Sequence, residues 1–255
     1  MRSVSYHLRV VRTLIVIPTY QEAPNIVEVL RRVLAAAPEV DILVVDDGSP
    51  DGTAGIAEAA GRELGHVTVM RRPRKAGLGS AYRAGFRWGL DRGYQTLVEM
   101  DADLSHDPAV VPDLLAQVAE GADLAIGSRY VPGGSIPAWT AWRRALSLWG
   151  NRYAAWALAL DVADATAGFR AYRADALVEI DFETVRADGY GFQIETAYRM
   201  SQRGRKIVEI PISFSDRRQG TSKMSGRIVV EALLLVTGWG VHDRLRRLRR
   251  LRWRR

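Results

Sequence analysis

The chain of 255 residues contains no cysteine, which excludes a disulfide framework, a thiolate metal site and a cysteine nucleophile, and leaves the redox compartment open. Long hydrophobic runs are missing too. No stretch reaches the roughly 18 to 20 apolar residues that span a bilayer; the nearest approach, Ile228 to Val241, is short and is interrupted by Glu231. Met1 to Arg12 lacks the apolar core of a signal peptide. No linker rich in Pro, Ser or Gly divides the sequence, so one main domain with a sizeable core is expected, soluble or surface-bound. Two nucleotide-binding signatures are also absent. No GxGxxG follows the first strand and no GxxxxGK[ST] occurs anywhere, which disfavours a Rossmann dehydrogenase and a P-loop NTPase.

The formal charge of +7 is unevenly placed, since residues 243–255, DRLRRLRRLRWRR, carry eight arginines in thirteen residues. Without them the body is close to neutral. Leu245, Leu248, Leu251 and Trp253 interleave with these arginines, which suits an anionic membrane surface. A solubilising tail without a partner remains open. Nucleic acid is disfavoured, because no aromatic platform or RNA-reading module accompanies the basic run.

What the sequence does have is a β/α alternation. Short β-branched runs at Thr13–Ile17, Ile42–Val45, Val67–Met70, Thr96–Met100 and Leu124–Gly127 read as strands. Between them, Pro24–Ala37, Asp51 to just before His66, Gly79–Asp91 and Pro108–Ala119 read as helices. Strands apolar throughout predict an α/β fold with a mostly parallel, doubly wound sheet covered by helices on both faces. Acidic turns follow three of the strands, and in such sheets ligands bind beyond the strands' carboxyl ends. Pro18–Glu22, Asp46–Ser49 and Asp101–Ser105 should therefore converge on one crevice.

Asp101 and Asp103 form the sharpest chemical feature. Carboxylates at i and i+2 share a face in extended backbone and repel unless a cation lies between them. Hard oxygen ligands at this spacing suit Mg²⁺ or Mn²⁺ shared with a diphosphate; the alternative is a solvated turn that caps the next helix. The loop Arg71-Arg72-Pro73-Arg74-Lys75-Ala76-Gly77-Leu78-Gly79 is either a cover for a nucleotide or a surface turn. His106, beside the acidic loop, reads as packing at a helix start.

Pro18-Thr19-Tyr20-Gln21-Glu22, Val45-Asp46-Asp47-Gly48-Ser49, Asp101-Ala102-Asp103-Leu104-Ser105-His106 and Gly127-Ser128-Arg129-Tyr130 resemble the successive motifs of family 2 glycosyltransferases with the GT-A fold. Further stretches narrow the resemblance to dolichyl-phosphate and polyprenyl-phosphate mannose synthases. These are Trp142-Arg143-Arg144 with Ser147 and Asn151, Ala167-Gly168-Phe169-Arg170-Ala171-Tyr172, Gly189-Tyr190-Gly191-Phe192-Gln193-Ile194-Glu195 and Arg217-Arg218-Gln219-Gly220-Thr221-Ser222-Lys223-Met224. The likeness covers Leu14 to Val236.

The resemblance implies GDP-mannose as donor, a polyprenyl phosphate as acceptor, Mg²⁺ or Mn²⁺ as cofactor, and transfer with inversion. It assigns substrate binding to Pro18, Tyr20, Glu22, Val45, Asp47, Asp101, Ala102, Asp103, Arg129, Arg143, Arg217 and Lys223. Of these, Pro18, Tyr20, Glu22 and Asp47 match guanosine-holding positions. Catalysis falls to Asp103, Arg129, Arg143, Arg217 and Lys223, and the metal to Asp101, Asp103 and Ser105. Ser105 departs from the Gln that many relatives carry, a shorter and weaker oxygen ligand. Rival readings are a synthase using UDP-glucose or another sugar donor, and a non-catalytic membrane or nucleic-acid binding module.

Trp139, Trp142, Leu146, Trp149, Tyr153, Trp156 and Leu160 recur in steps of three and four, which predicts one helical stripe. Tryptophan favours the membrane interface, so this stripe within an interface region 136–160 is expected either to lie on lipid or to pack on its own domain. The expected division is a catalytic domain over 1–225 and a C-terminal helix with the arginine-rich tail over 226–255. The resemblance places the protein at the cytoplasmic face of a membrane without a transmembrane span. Peripheral binding or a membrane partner subunit would replace the transmembrane segments that many relatives carry.

Overall fold

A computed structural model describes residues 11–215 and 226–252. Seven strands form its sheet: β1 (Thr13–Thr19), β2 (Asp41–Asp46), β3 (Val67–Arg71), β4 (Thr96–Glu99), β5 (Leu124–Ser128), β6 (Arg170–Arg173) and β7 (Ile207–Pro211). Their order is β3-β2-β1-β4-β6-β5-β7. β1 runs parallel to β2 and β4, β2 to β3, and β5 to β7. Only β6 runs against its neighbours β4 and β5. Alternate residues of β1 enter opposite cores, Leu14 and Val16 on one face, Ile15 and Ile17 on the other. Burial on both faces explains why the strand reads as an unbroken apolar run.

The helices are α1 (Ile26–Ala36), α2 (Thr53–Leu64), α3 (Leu78–Leu90), α4 (Val111–Ala119), α5 (Ala141–Leu158), α6 (Ala174–Glu179), α7 (Tyr190–Gln202) and α8 (Gly226–Arg252). In α1 the buried positions Ile26, Val29, Leu30 and Val33 follow the spacing that marked the helix in the sequence. Helix α3 lies directly on the sheet. A Cβ on Gly89 would fall 2.6 Å from Leu97 and 2.8 Å from Leu14, so glycine there lets α3 approach β1 and β4. The chain lays down β1, β2 and β3 outward, then returns to place β4 on the other side of β1. That reversal opens a crevice at the carboxyl ends of β1 and β4.

The mostly parallel sheet is as expected, but β6 and β7 went unread. β6 is four residues with arginine at both ends, so no apolar period marks it. Arg170 is nevertheless fully buried. Its guanidinium donates to the carbonyls of Ala165, Ala167 and Gln193, each at 2.7 Å. Hydrogen bonds made after folding, not composition, make that burial affordable.

Two helices depart from the expected limits. The aromatic stripe is shorter than its spacing suggests: Thr140 caps α5 by accepting from the Arg143 amide, and Ala159 ends it in the left-handed conformation. Trp139 and Leu160 therefore lie outside the helix and are buried, whereas Trp142, Trp149 and Trp156 are 75%, 54% and 66% exposed. The expected C-terminal helix runs from Gly226 to Arg252, taking in most of the arginine run. Val236 is buried in α8, and the bare Cα of Gly240 lets the Ala157 carbonyl of α5 approach. Trp239 stacks on Tyr198 of α7, whose hydroxyl donates to Asp243 at 2.5 Å. Among the described residues no helix is long and apolar enough to cross a membrane.

Candidate active site

The loops after β1, β2 and β4 meet, as expected, around one cavity of about 390 Å³. Pro18, Tyr20 and Glu22 come from the first loop, Asp47 from the second, and Asp101, Ala102, Asp103 and His106 from the third. The basic loop after β3 borders the same space through Lys75, Gly77 and Leu78. Arg129, Trp139 and Arg143 close the far side. Two of the expected site residues lie elsewhere. Val45 points into the core beneath α3, and the Ser105 side chain is buried behind Asp103 without lining the cavity. Arg217, Arg218 and Lys223 lie outside the described residues.

The acidic residues do different work. Asp46 is structural: Thr19 donates to it at 2.9 Å, and the Ser49 amide and hydroxyl donate at 2.9 and 2.6 Å. Asp47 faces the cavity. One of its oxygens accepts from the Ala76 amide at 3.0 Å, and the other lies 2.9 Å from an Arg72 nitrogen. Lys75 sits 4.4 Å from the centre of the Tyr20 ring. The basic loop is thus tied to the β1 and β2 loops by charge before any ligand arrives.

In the third loop the backbone turns through Leu104 with φ +61, a conformation uncommon outside glycine. This turn brings the Ser105 amide and hydroxyl to the same oxygen of Asp103, at 3.0 and 2.5 Å. Ser105 therefore orients Asp103. Beneath the loop, Tyr82 donates to Asp101 at 3.5 Å, and burial, reinforced by the Asp101 charge, pushes the phenol well up so that it stays protonated. His106 is held neutral, its pKa lowered to about 4 by burial. Its ring stacks on Phe169 at 5.0 Å, and its Nδ1 accepts from the Asp101 amide at 3.4 Å. Glu99, fully buried under the acidic loop, is raised to about 7 by burial, with Arg170 pulling against it.

The far side is built on a buried ion pair. Arg129 donates through Nε and Nη2 to the two oxygens of Asp164, both at 2.6 Å, and Nη2 also reaches Thr166 at 2.8 Å. Burial works against the Arg129 charge, but Asp164 outweighs it and holds the guanidinium above its ordinary range. Asn151 of α5 bonds Thr166 in both directions at 3.1 Å. The Glu209 side chain accepts from the amides of Ala163 and Asp164 at 2.7 and 2.9 Å. Arg143, one turn into α5, lies 4.0 Å over the Trp139 ring. Sequence reasoning missed Asp164, Thr166, Asp188, Gln193 and Glu231 as parts of the site. Asp164 and Thr166 carry no local pattern, since their partners stand 35 to 45 residues away in some contacts. Asp188 and Glu231 enter the cavity wall only once α7 and α8 are docked.

The deciding comparison concerns the segment that carries β1 to β6. Residues 14–181 match glycosyl transferase family 2. The chain belongs to that family. A polyprenol monophosphomannose synthase from Mycolicibacterium smegmatis is 52% identical over 93% of this chain and 90% of its own. An undecaprenyl-phosphate mannosyltransferase from Micrococcus luteus is 50% identical over 93% of this chain and 98% of its own. Among solved structures, glucosyl-3-phosphoglycerate synthase from Mycobacterium tuberculosis, in complex with Mn²⁺, UDP and phosphoglyceric acid, aligns with a TM-score of 0.69. It is 20% identical and covers 90% of this chain and 78% of that one. A Pyrobaculum calidifontis mannosyltransferase with GDP-Man and Mn²⁺ gives 0.63 at 17% identity, covering 91% and 64%. These likenesses are of fold, and the fold of this family 2 glycosyltransferase is GT-A.

Asp164→Asn should weaken the far side of the site. A buried Arg129 left without its carboxylate predicts a loss of about 3–5 kcal/mol, read from the urea midpoint at unchanged slope. A midpoint within experimental scatter of the wild type would show that the pair does not hold the fold.

Proposed function

We propose that this protein transfers mannose from GDP-mannose to a polyprenyl phosphate with inversion, making a lipid-linked β-mannose donor for glycosylation. The observation that carries the reading is the continuity of one cavity from Asp47, through Asp101 and Asp103, to Arg143 at the foot of the exposed tryptophans. A nucleoside, a diphosphate, a sugar and a second phosphate fit that sequence of groups in order. The names of the relatives at 52% and 50% identity support the same donor sugar and class of acceptor.

The donor set fits a divalent cation. Asp101 and Asp103 are hard oxygen donors on one turn facing the cavity. Among the described residues no group of three or more His, Asp or Glu could hold a metal alone, so the remaining ligands would come from the diphosphate and water, as Mg²⁺ and Mn²⁺ accept. Asp101 and Asp103 would hold it, and when bound it neutralises charge on the GDP leaving group.

The chain's own groups orient the reaction. Asp47 accepts hydrogen bonds from the nucleoside side, where Arg72 and Lys75 also add positive charge. Arg143 grips the acceptor phosphate. A phosphate oxygen of the acceptor forms the bond to mannose C1 as the bond from C1 to the GDP oxygen breaks, and the electron pair leaves with GDP. No proton has to move, because the acceptor is already an anion. The site accordingly needs no general base, and rate comes from alignment and charge stabilisation.

Trp156, the last exposed tryptophan of α5, lies beside the start of the basic end of α8, with Arg244 4.6 Å over its ring. This combination fits peripheral binding to an anionic bilayer. Replacing Trp142, Trp149 and Trp156 with alanine should lower binding to phosphatidylglycerol vesicles in a flotation assay. Full binding would show that the tryptophans do not hold the protein to the bilayer.

The activity test is transfer of labelled mannose from GDP-mannose to a short polyprenyl phosphate in detergent, with Mg²⁺ or Mn²⁺. Lipid product should form with metal and fall by at least about a hundredfold in Asp103→Ala. Product from UDP-glucose and none from GDP-mannose would overturn the sugar assignment. No product from any donor would favour a binding module.

A further inference from the structure

The nucleoside end of the cavity sets an acceptor beside a donor. Asp47 and Lys75 both line it; a carboxylate only accepts hydrogen bonds and an ammonium only donates them. The Ala76 amide donates to one oxygen of Asp47 at 3.0 Å, so Lys75, the residue before it in the chain, starts from a backbone fastened to that carboxylate. The Tyr20 ring completes the group, with the Lys75 ammonium 4.4 Å from its centre.

Around Lys75 the backbone is held on several sides. The Arg72 amide donates to the Asp46 carbonyl at 2.8 Å, and the Asp47 amide to the Thr19 carbonyl at 3.0 Å. The Arg72 guanidinium lies 2.9 Å from Asp47 and donates to Ser80 at 2.7 Å. Gly48, at φ +71, lets the basic loop close in, since a Cβ there would fall 3.2 Å from the Pro73 carbonyl oxygen. Asp47 is buried in this packing, whereas Lys75 is exposed. Contact between a cation and a ring at an exposed position is weak, so the ammonium can leave Tyr20 while its backbone stays in place.

Guanine presents the hydrogen on N1 beside the oxygen on C6, a donor next to an acceptor, whereas adenine presents a lone pair at N1 beside an amino group. We infer that Asp47 accepts from the N1 hydrogen while Lys75, moved off the Tyr20 ring, donates to O6, so that the two side chains select a keto base against an amino base. The inference rests on the transferase reading above and gives Lys75 a specificity role within its donor site. Adenine is wrong at both groups, because it sets a lone pair against the carboxylate and an amino group against the ammonium. Uracil carries the same donor and acceptor at N3 and O4. The pair therefore sorts keto from amino bases, and the remainder of the pocket sorts guanine from uracil.

The test is calorimetric binding of GDP, IDP and ADP to the full chain with Mg²⁺, IDP keeping the N1 hydrogen and O6 of guanine without its amino group. The wild type should bind GDP at least about a hundredfold more tightly than ADP. Lys75→Met should weaken GDP and IDP alike by about tenfold or more and leave ADP within about twofold of its wild-type affinity. Lys75→Arg, which keeps a long cationic donor, should recover part of the loss. Unchanged thermal unfolding, expected for an exposed side chain, shows that the fold is kept. Equal losses for GDP and ADP in Lys75→Met assign the ammonium to the phosphates and overturn the inference while the transferase reading stands, and so does an unchanged affinity for GDP. A wild type that binds none of the three nucleotides overturns both.

Discussion

Crowding of like charge at the ends of β1, β2 and β4 is the constraint on which the structure depends. A parallel sheet brings Asp46, Asp47, Asp101 and Asp103 to one edge, where their mutual repulsion has to be offset locally. Each has its own partners: Thr19 and Ser49 for Asp46, Arg72 and the Ala76 amide for Asp47, Tyr82 for Asp101, and Ser105 for Asp103. The cost of assembling the acids is met during folding, so a ligand meets donors already aimed. The left-handed Leu104 belongs to the same solution, because that turn lets Ser105 reach Asp103.

The opposite wall solves a different problem. A cationic side chain is sunk beside aromatic rings, and Asp164 with Thr166 makes its burial tolerable. Since Asn151 ties the same threonine to α5, the helix bearing Arg143 and the tryptophans is registered to the cleft by hydrogen bonds. The antiparallel β6 is what returns the chain along this wall, and Arg170 holds that return by bonding three backbone carbonyls. The proposed donor and acceptor halves are therefore built by different parts of the sheet.

That division also explains what could be read from the sequence. The donor half was legible because its signals are local: a β-branched run followed within a few residues by an acidic turn, three times over. Asp101 and Asp103 needed no partner distant in sequence to be noticed. Asp164 did, since its meaning comes from Arg129 and Glu209. Trp139 was placed on a helix by its spacing, but the Thr140 cap leaves it in the loop, where it packs against Phe214 at 5.7 Å. Ser105 was given to the metal by resemblance, whereas its hydroxyl is directed to Asp103. The arginine run could be weighed for charge but not for shape, and its inclusion in α8, which packs on Tyr198 and Ala157, became visible only in the structure.

Taken together, these features suit the proposed reaction, in which two phosphates are positioned about one sugar carbon. His106 is neutral, buried and engaged with the Asp101 amide, and Glu99 lies beneath the loop with its carboxylate sealed from solvent. The most direct test is the anomeric configuration of the lipid product made from α-linked GDP-mannose, read from the one-bond carbon–hydrogen coupling at C1. The account predicts β-linked mannose, from a single displacement; α-linked product would contradict it and require a two-step path.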